Sequence, residues 1–246
     1  MREYKNIPYS TVSPKYNYLN LLLPDCDCKA IFVYIHGGGL TVREPGEHIG
    51  PFMENLCKRG IGVATIEYRG FPEHRYPDFI DDSACAVAWI KNHIHEYVDC
   101  KKIYVGGSSA GGYLSMMLCF DKKYLGIHDI SPMDIAGFIH DAGQPTAHFN
   151  VLKSRGIDPR RLIVDESSPM YHVGVDSEYP PMIFIVSDND MENRYEQTLL
   201  MKSTLKHFGH EDNVYLKVMN GTHCHYVDAE DGVFAGIIAD FIEKTL

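Results

Sequence analysis

The sequence has no apolar run near the roughly 20 residues that a helix needs to cross a bilayer. Its N-terminus has no apolar core of the kind found in secretory signals, so we expect neither a membrane segment nor export. Basic residues are also few, with 23 Lys and Arg against 33 Asp and Glu and a formal charge of −10. This balance disfavours nucleic acid and anionic membranes as partners, because both are bound by clustered positive charge.

Cysteine follows no framework pattern. The seven cysteines are odd in number and scattered from position 26 to position 224. A set of structural disulfides is therefore not expected, and we predict a cytoplasmic protein. The sequence has no Gly-Lys-Ser/Thr phosphate loop and no complete Gly-x-Gly-x-x-Gly, and no ligand cluster complements His223-Cys224-His225. We therefore expect no cofactor and no metal.

Short apolar runs alternate with longer helical patterns along the chain. Several of the runs are continuous and β-branched, which is typical of strands buried on both faces of a parallel sheet. The strand-like runs are Asn17–Leu23, Ala30–His36, Gly62–Glu67, Lys102–Gly106, Ile135–His140, Met182–Ser187 and Val214–Met219. The helical patterns lie near 47–59, 78–96, 110–120, 191–208 and 230–245. The alternation predicts a single doubly wound α/β domain over residues 1–246 with right-handed crossovers.

The least regular stretch is 141–181, which contains five prolines and only short helical patterns near 147–155 and 159–164. Long irregular insertions in compact domains are often lids or binding loops. This one directly follows a predicted strand, on the side where open α/β sheets bind ligands. We therefore favour a lid or pocket wall over a surface excursion without a role.

Residues 107–111 form a Gly-x-Ser-x-Gly motif centred on Ser109. A strand-like run precedes the motif and a helix-like run follows it, as in a turn that lifts a serine hydroxyl clear of the backbone. Gly107 and Gly111 let such a turn close without side-chain clashes. The motif alone is common, so its interpretation depends on partner residues.

A nucleophilic serine needs a base, an acid that orients the base, and preset donors for the oxyanion. The run His36-Gly37-Gly38-Gly39 follows a strand ahead of the serine motif, which favours an oxyanion loop over a flexible turn.

The acid and the base are expected after the last two strands. Asp188 and Asp190 both follow the strand Met182–Ser187, and we favour Asp190, since Asp188 is placed as a turn former. His223 and His225 both follow the last strand, and we favour His223 with His225 as the reserve.

Together these motifs resemble the α/β-hydrolase superfamily, and within it the esterase branch typified by hormone-sensitive lipase and small bacterial carboxylesterases. Residues 36–39 match the His-Gly-Gly-Gly of that branch, and residues 107–112 match its Gly-Asp-Ser-Ala-Gly-Gly with Ser108 in the place of Asp. Residues 68–73 resemble its Tyr-Arg-Leu-Ala-Pro-Glu. The resemblance implies a mostly parallel eight-stranded sheet with helices on both faces. Only about 28 residues precede the oxyanion strand, so a short N-terminal cap or none is expected.

The resemblance also implies roles for the site residues. Ser109 would be the nucleophile, Asp190 the orienting acid and His223 the base. The oxyanion donors would be the N–H groups of Gly38, Gly39 and Ala110. The expected substrate is a small, mostly uncharged carboxylic ester cleaved through an acyl-enzyme. A peptidase or amidase of the same fold and a non-catalytic ligand-binding module are the alternatives, and the oligomeric state stays open.

Overall fold

The computed structural model describes residues 1–42, 50–227, 229 and 232–246. The strands are β1 (Arg2–Pro8), β2 (Tyr18–Leu23), β3 (Ala30–Ile35), β4 (Ile61–Ile66), β5 (Ile103–Ser108), β6 (Gly137–Asp141), β7 (Met182–Ser187) and β8 (Val214–Met219). The helices are α1 (Pro51–Lys58), α2 (Asp78–His93), α3 (Ala110–Phe120), α4 (Lys123–Gly126), α5 (Phe149–Ser154), α6 (Arg194–His207) and α7 (Val233–Thr245). Short 3₁₀ turns occupy Ile94–Glu96, Pro132–Asp134 and Pro169–His172. No helix in this described part has both the length and the apolar character to span a bilayer.

The strands form one eight-stranded sheet in the order β1-β2-β4-β3-β5-β6-β7-β8. The six strands from β4 to β8 in this order are parallel, whereas β1 and β2 pair antiparallel at one edge. Parallel neighbours need crossover connections, and here helices supply most of them. This arrangement confirms the predicted doubly wound, mostly parallel α/β sheet.

The sheet separates two hydrophobic cores. Along β3, Ile31, Val33 and Ile35 face one core and Phe32 and Tyr34 face the other, which is the period-two alternation of a strand. The first core is covered by α2, α3 and α6, and the second by α1 and α7. Burial on both faces explains why the central strands are continuous apolar runs.

Most predicted elements correspond to observed ones, with four differences, of which the first is that the short helix α4 was not predicted. The edge strand β1 was not predicted, because residues 2–8 are largely exposed and lack an apolar alternation; β2 provides its pairing. The helix predicted at 159–164 is wrong. The Asp158 carboxylate there accepts the Arg160 N–H at 3.0 Å, which favours a local turn over a helix. The helices predicted at 47–59 and 230–245 are observed from Pro51 and Val233, and residues 47–49, 230 and 231 lie outside the described residues.

The carboxyl ends of the parallel strands lie along one edge of the sheet. β5 ends at Ser108, β6 at Asp141, β7 at Ser187 and β8 at Met219. The loops that follow these strands therefore gather in one place, which is where open α/β sheets bind ligands.

Candidate active site

Ser109 occupies a strained turn between β5 and α3, with φ 57° and ψ −112°. The turn fits tightly against the end of β3. A Cβ at Gly111 would lie 1.8 Å from the carbonyl oxygen of Ile35, and one at Gly107 would lie 2.2 Å from the same atom. The Ser109 N–H donates to the carbonyl oxygen of Asp141 at 2.8 Å. Contacts on both neighbouring strands thus hold the serine in place.

His223 lies between Ser109 and Asp190. Its Nε2 is 2.8 Å from the Ser109 hydroxyl oxygen, and its Nδ1 is 2.5 Å from Asp190 Oδ1. A carboxylate at Nδ1 favours the tautomer that carries a proton there, which leaves Nε2 free to accept the serine proton. The structure therefore brings together the three side chains that the sequence predicted.

The Asp190 side chain is fully buried, yet its surroundings favour the ionised form. Burial alone would raise the pKa of this carboxyl, but the hydrogen bond and charge of His223 outweigh that effect and hold the pKa below its usual range. The N–H groups of Met191 and Ser187 donate to the same carboxylate at 2.7 Å and 3.3 Å. An anion at this position can orient an imidazole and stabilise its protonated form.

Asp188 and His225, the less favoured candidates for acid and base, have other contacts. Asp188 Oδ1 accepts the N–H of Gly221 at 2.9 Å, so this side chain ties the loop after β7 to the loop after β8. The exposed His225 ring packs over Gly221, and its Nδ1 lies 2.8 Å from the carbonyl oxygen of Thr222. Neither of these side chains forms a hydrogen bond with the Ser109 hydroxyl or with the ring nitrogens of His223.

The glycine-rich loop after β3 passes directly beside the serine. A Cβ at Gly37 would lie 3.3 Å from that of Ser109, so the two backbones touch. Gly38 and Gly39 have φ values of 113° and 66°, which glycine adopts readily. Ala110 is the first residue of α3, and N–H groups of the first turn have no partner inside the helix. The predicted oxyanion residues thus lie on the loop that passes beside Ser109 and at the start of the helix that follows it.

His36, the first residue after β3, stabilises the start of this loop. Its ring stacks on Tyr68 at 4.4 Å, and the Tyr68 hydroxyl donates to the His36 carbonyl oxygen at 2.9 Å. Its Nε2 lies 3.4 Å from the carboxylate of Glu67. These contacts fix the start of the loop.

The stretch 141–181 packs against the same loop. Asn150 Nδ2 in α5 donates to the carbonyl oxygen of Gly39 at 2.5 Å. A Cβ at Gly39 would lie 3.4 Å from the ring of Phe149. The first part of the stretch therefore lies beside the site, while residues 158–162 are exposed and lie in a turn.

Two buried charged residues near the site were missed from the sequence. Asp141 is fully buried, and burial raises the pKa of its carboxyl to about 6. The Arg194 guanidinium is also buried, which lowers its pKa, and it donates to the carbonyl oxygen of Ala142. For Asp141 the sequence did offer a usable signal, an acidic residue at the end of the strand that follows the Ser109 motif along the chain. Arg194 had none, because it looks like an ordinary first residue of an amphipathic helix.

The described residues hold no cluster of three or more His, Cys, Asp or Glu side chains that could bind a metal. Within the run His223-Cys224-His225, the ring of His223 contacts Ser109 and Asp190.

Residues 32–225 match a family model described as the alpha/beta hydrolase fold. The chain belongs to the α/β-hydrolase family. The resemblance drawn from the sequence motifs is thereby confirmed, over most of the chain.

Among curated proteins, this α/β-hydrolase is similar to two proteins of Mycobacterium tuberculosis. The probable carboxylic ester hydrolase LipM is 27% identical over 191 residues, which are 68% of this chain and 43% of LipM. Esterase LipQ is 23% identical over 235 residues, which are 86% of this chain and 54% of LipQ. The chain therefore spans about half the length of these relatives.

Solved structures share the fold. A carbohydrate esterase from gut microbiota, in truncated form, superposes with a TM-score of 0.79 at 17% identity. The superposition covers all of this chain and 96% of the esterase chain. Esterase 2 of Thermogutta terrifontis, phosphonylated by sarin, superposes with a TM-score of 0.76 at 20% identity. This superposition covers 96% of this chain and 92% of the esterase 2 chain.

Proposed function

We propose that this α/β-hydrolase is a serine esterase that hydrolyses small, mostly uncharged carboxylic esters. The supporting observation is the hydrogen-bonded series Asp190–His223–Ser109, with spacings of 2.5 Å and 2.8 Å at the carboxyl edge of the sheet. Curated relatives that match parts of the chain are named esterases, which favours esters over amides.

In this mechanism Ser109 attacks the ester carbonyl while His223 Nε2 removes its proton. Asp190 stabilises the imidazolium that forms. The N–H groups of Gly38, Gly39 and Ala110 would stabilise the oxyanion, and each such donor is worth on the order of 10²–10³ in rate. His223 then protonates the departing alcohol. A water molecule, activated by the same base, attacks the acyl-enzyme and releases the acid.

We further propose that the chain is one domain in which 141–181 forms a wall of the acyl pocket. The contacts of Phe149 and Asn150 with Gly39 support this role, because they place α5 against the oxyanion loop. Asn150→Ala should then alter the preference among acyl groups more than the rate on the smallest acetyl ester. We also propose a cytoplasmic location, from the odd and scattered cysteines, which fractionation would test.

The direct test is labelling with a fluorophosphonate, followed by turnover of p-nitrophenyl esters, acetylated sugars and aminoacyl amides. We expect prompt labelling of the wild type at Ser109 and preferential cleavage of esters. Ser109→Ala should remove labelling and turnover while leaving the circular dichroism spectrum unchanged. Undiminished turnover in Ser109→Ala would overturn the mechanism. An unlabelled wild-type protein would favour a ligand-binding module, and a preference for amides would favour the amidase alternative.

A further inference from the structure

Asp141 lies at the end of β6, beside the strand that carries the nucleophile. In the β5–β6 ladder it is paired with Ser108, and its carbonyl oxygen accepts the Ser109 N–H at 2.8 Å. Its side chain meets the loop that carries His223. One residue therefore contacts the nucleophile turn through its main chain and the base loop through its carboxylate.

We propose that Asp141 is a positioning residue for the base: its buried carboxylate fixes the loop of His223 and stabilises the imidazolium that forms during the reaction. The proposal rests on the proposed function, because it concerns the same site and the same proton transfer.

The first supporting observation is the set of contacts between this carboxylate and the base loop. The Tyr226 hydroxyl donates to Asp141 Oδ1 at 2.5 Å. The Cys224 thiol lies 3.9 Å from Asp141 Oδ2 and 3.7 Å from His223 Nε2. Burial raises the pKa of this thiol, so it stays protonated and can donate to the carboxylate. Cys224 and Tyr226, both just after His223 in the base loop, thus contact the same carboxylate.

The loop needs such an anchor because its backbone is strained. Cys224, directly after His223, has a φ of 54°, in the left-handed region that costs energy for a residue with a side chain. The residue is held in that conformation by its surroundings, which include the contacts of Asp141 with the Cys224 thiol and with the Tyr226 hydroxyl two residues later. Releasing them would let the imidazole move away from Ser109.

The second observation is the balance of charge around the imidazole. The carboxylates of Asp190, in the loop after β7, and Asp141, at the end of β6, interact with the imidazole. Arg194 of α6 interacts with Asp190 and Cys224, and Cys224 and Tyr226 of the base loop are neutral. With neutral His223 this group carries two negative charges and one positive. When His223 is protonated, the group carries two negative and two positive charges and is neutral overall. The site is therefore complementary to the charge that develops during the reaction.

A purely structural acceptor for Tyr226 would not need a charge. A buried carboxylate is costly to ionise, and an amide or carbonyl oxygen could accept the same hydrogen bond at lower cost. Burial raises the pKa of Asp141 to about 6, so it is nevertheless ionised near neutral pH. A charge kept at such a cost beside the base indicates a role for the charge itself.

The test is the pH profile of kcat/KM for p-nitrophenyl acetate between pH 5 and 9 in Asp141→Asn. Its acid limb reports protonation of the free base. Removing a nearby negative charge should move this limb down by about one pH unit. The plateau should fall about tenfold, the equivalent of one pKa unit of lost stabilisation. Asp141→Ser removes the charge with a smaller side chain and serves the same purpose if Asp141→Asn fails to fold.

Two controls separate charge from packing. Tyr226→Phe keeps the carboxylate and removes only its hydroxyl donor. We therefore expect a lower kcat, while the acid limb of the pH profile lies closer to that of the wild type than the limb of Asp141→Asn does. Asp121→Asn removes another buried carboxylate, which is paired with Lys123 away from the base. The acid limb of its pH profile should lie at the same pH as that of the wild type. An unmoved limb in folded Asp141→Asn, or an equal shift in Asp121→Asn, would overturn the proposal.

A second readout does not depend on turnover. The pKa of the His223 imidazole can be measured by NMR in Ser109→Ala, with and without Asp141→Asn. We expect it to fall by about one unit when the carboxylate is removed. If no ester is cleaved but this pKa falls, the proposed function fails and the effect of Asp141 stands. If esters are cleaved and the pKa is unchanged, the role of Asp141 is wrong and the esterase proposal stands.

Discussion

His223 Nδ1 lies 2.5 Å from Asp190 Oδ1, on the opposite side of the ring from Ser109. Asp190→Asn should therefore lower kcat by about 10⁴, because an amide cannot hold the reactive tautomer or stabilise the imidazolium. The measurement is turnover of a p-nitrophenyl ester under saturating conditions, with circular dichroism as the check on folding.

The matched control is Asp188→Asn, two residues earlier. Asp188 Oδ1 only accepts the Gly221 N–H, and an amide oxygen can do the same, so we expect a change within about tenfold. Equal losses in the two variants would contradict the assignment of Asp190.

The histidines 223 and 225 allow a second matched comparison. His223→Ala should lose activity as completely as Ser109→Ala, because it removes the only base in contact with the serine among the described residues. His225→Ala removes an exposed ring that packs over Gly221 and should keep most of the activity. Fluorophosphonate labelling rates of both variants would measure this, and comparable losses would mean that the base is shared or misassigned.

The glycines of two helices should respond in opposite directions to alanine. At Gly111, a Cβ would lie 1.8 Å from the Ile35 carbonyl oxygen, so Gly111→Ala should destabilise the protein by about 3 kcal/mol through overpacking and displace the serine turn. At Gly236 in α7, a Cβ would meet nothing within 4 Å, and Gly236→Ala should stabilise by about 0.5–1 kcal/mol. Urea unfolding of both variants gives the comparison; a neutral Gly111→Ala would contradict the packing of the turn.

Asp141→Asn should have a pH-dependent effect on stability. The folded pKa of about 6 lies above the ordinary value, so the native state binds the extra proton between about pH 4 and 6. Stability due to this group is thus full at low pH and lost as the pH rises through 6. Removing the carboxylate should raise the free energy of unfolding by about 2–3 kcal/mol at pH 8 and have little effect at pH 4.

Denaturant unfolding at both pH values measures this. A variant that is more stable but less active at pH 8 would show that the carboxylate is retained for activity rather than for folding. Equal stability of wild type and variant at pH 8 would mean that the buried charge is better compensated than its surroundings indicate.

The sequence predicted the parts of the site that belong to local motifs. The glycines around Ser109 and in the loop after β3 are dictated by backbone geometry within a few residues, so they can be read from the chain. Position after the last two strands indicates Asp188 or Asp190 as the acid and His223 or His225 as the base. Asp190 is favoured because Asp188 is placed as a turn former, and His223 because it lies nearer the strand and its glycine turn.

The missed features depend on contacts between distant segments. β1 exists through its pairing with β2, and its own residues carry no apolar pattern. The role we assign to Asp141 depends on Tyr226, 85 positions away in the chain. Neither residue has a local motif, because the burial of one and the hydroxyl orientation of the other follow from the assembled sheet.

The exposed turn at residues 158–162 separates Ser109 from both Asp190 and His223 along the chain. A chain divided at this turn would yield two fragments, one with Ser109 and the other with Asp190 and His223. They would meet along the β6–β7 edge, where four residue pairs from Phe138–Met182 to Asp141–Ile185 join the strands. Under the proposed function, such a pair of fragments would act as a complementation reporter, silent when apart and hydrolytic only when two fused proteins bring the halves together.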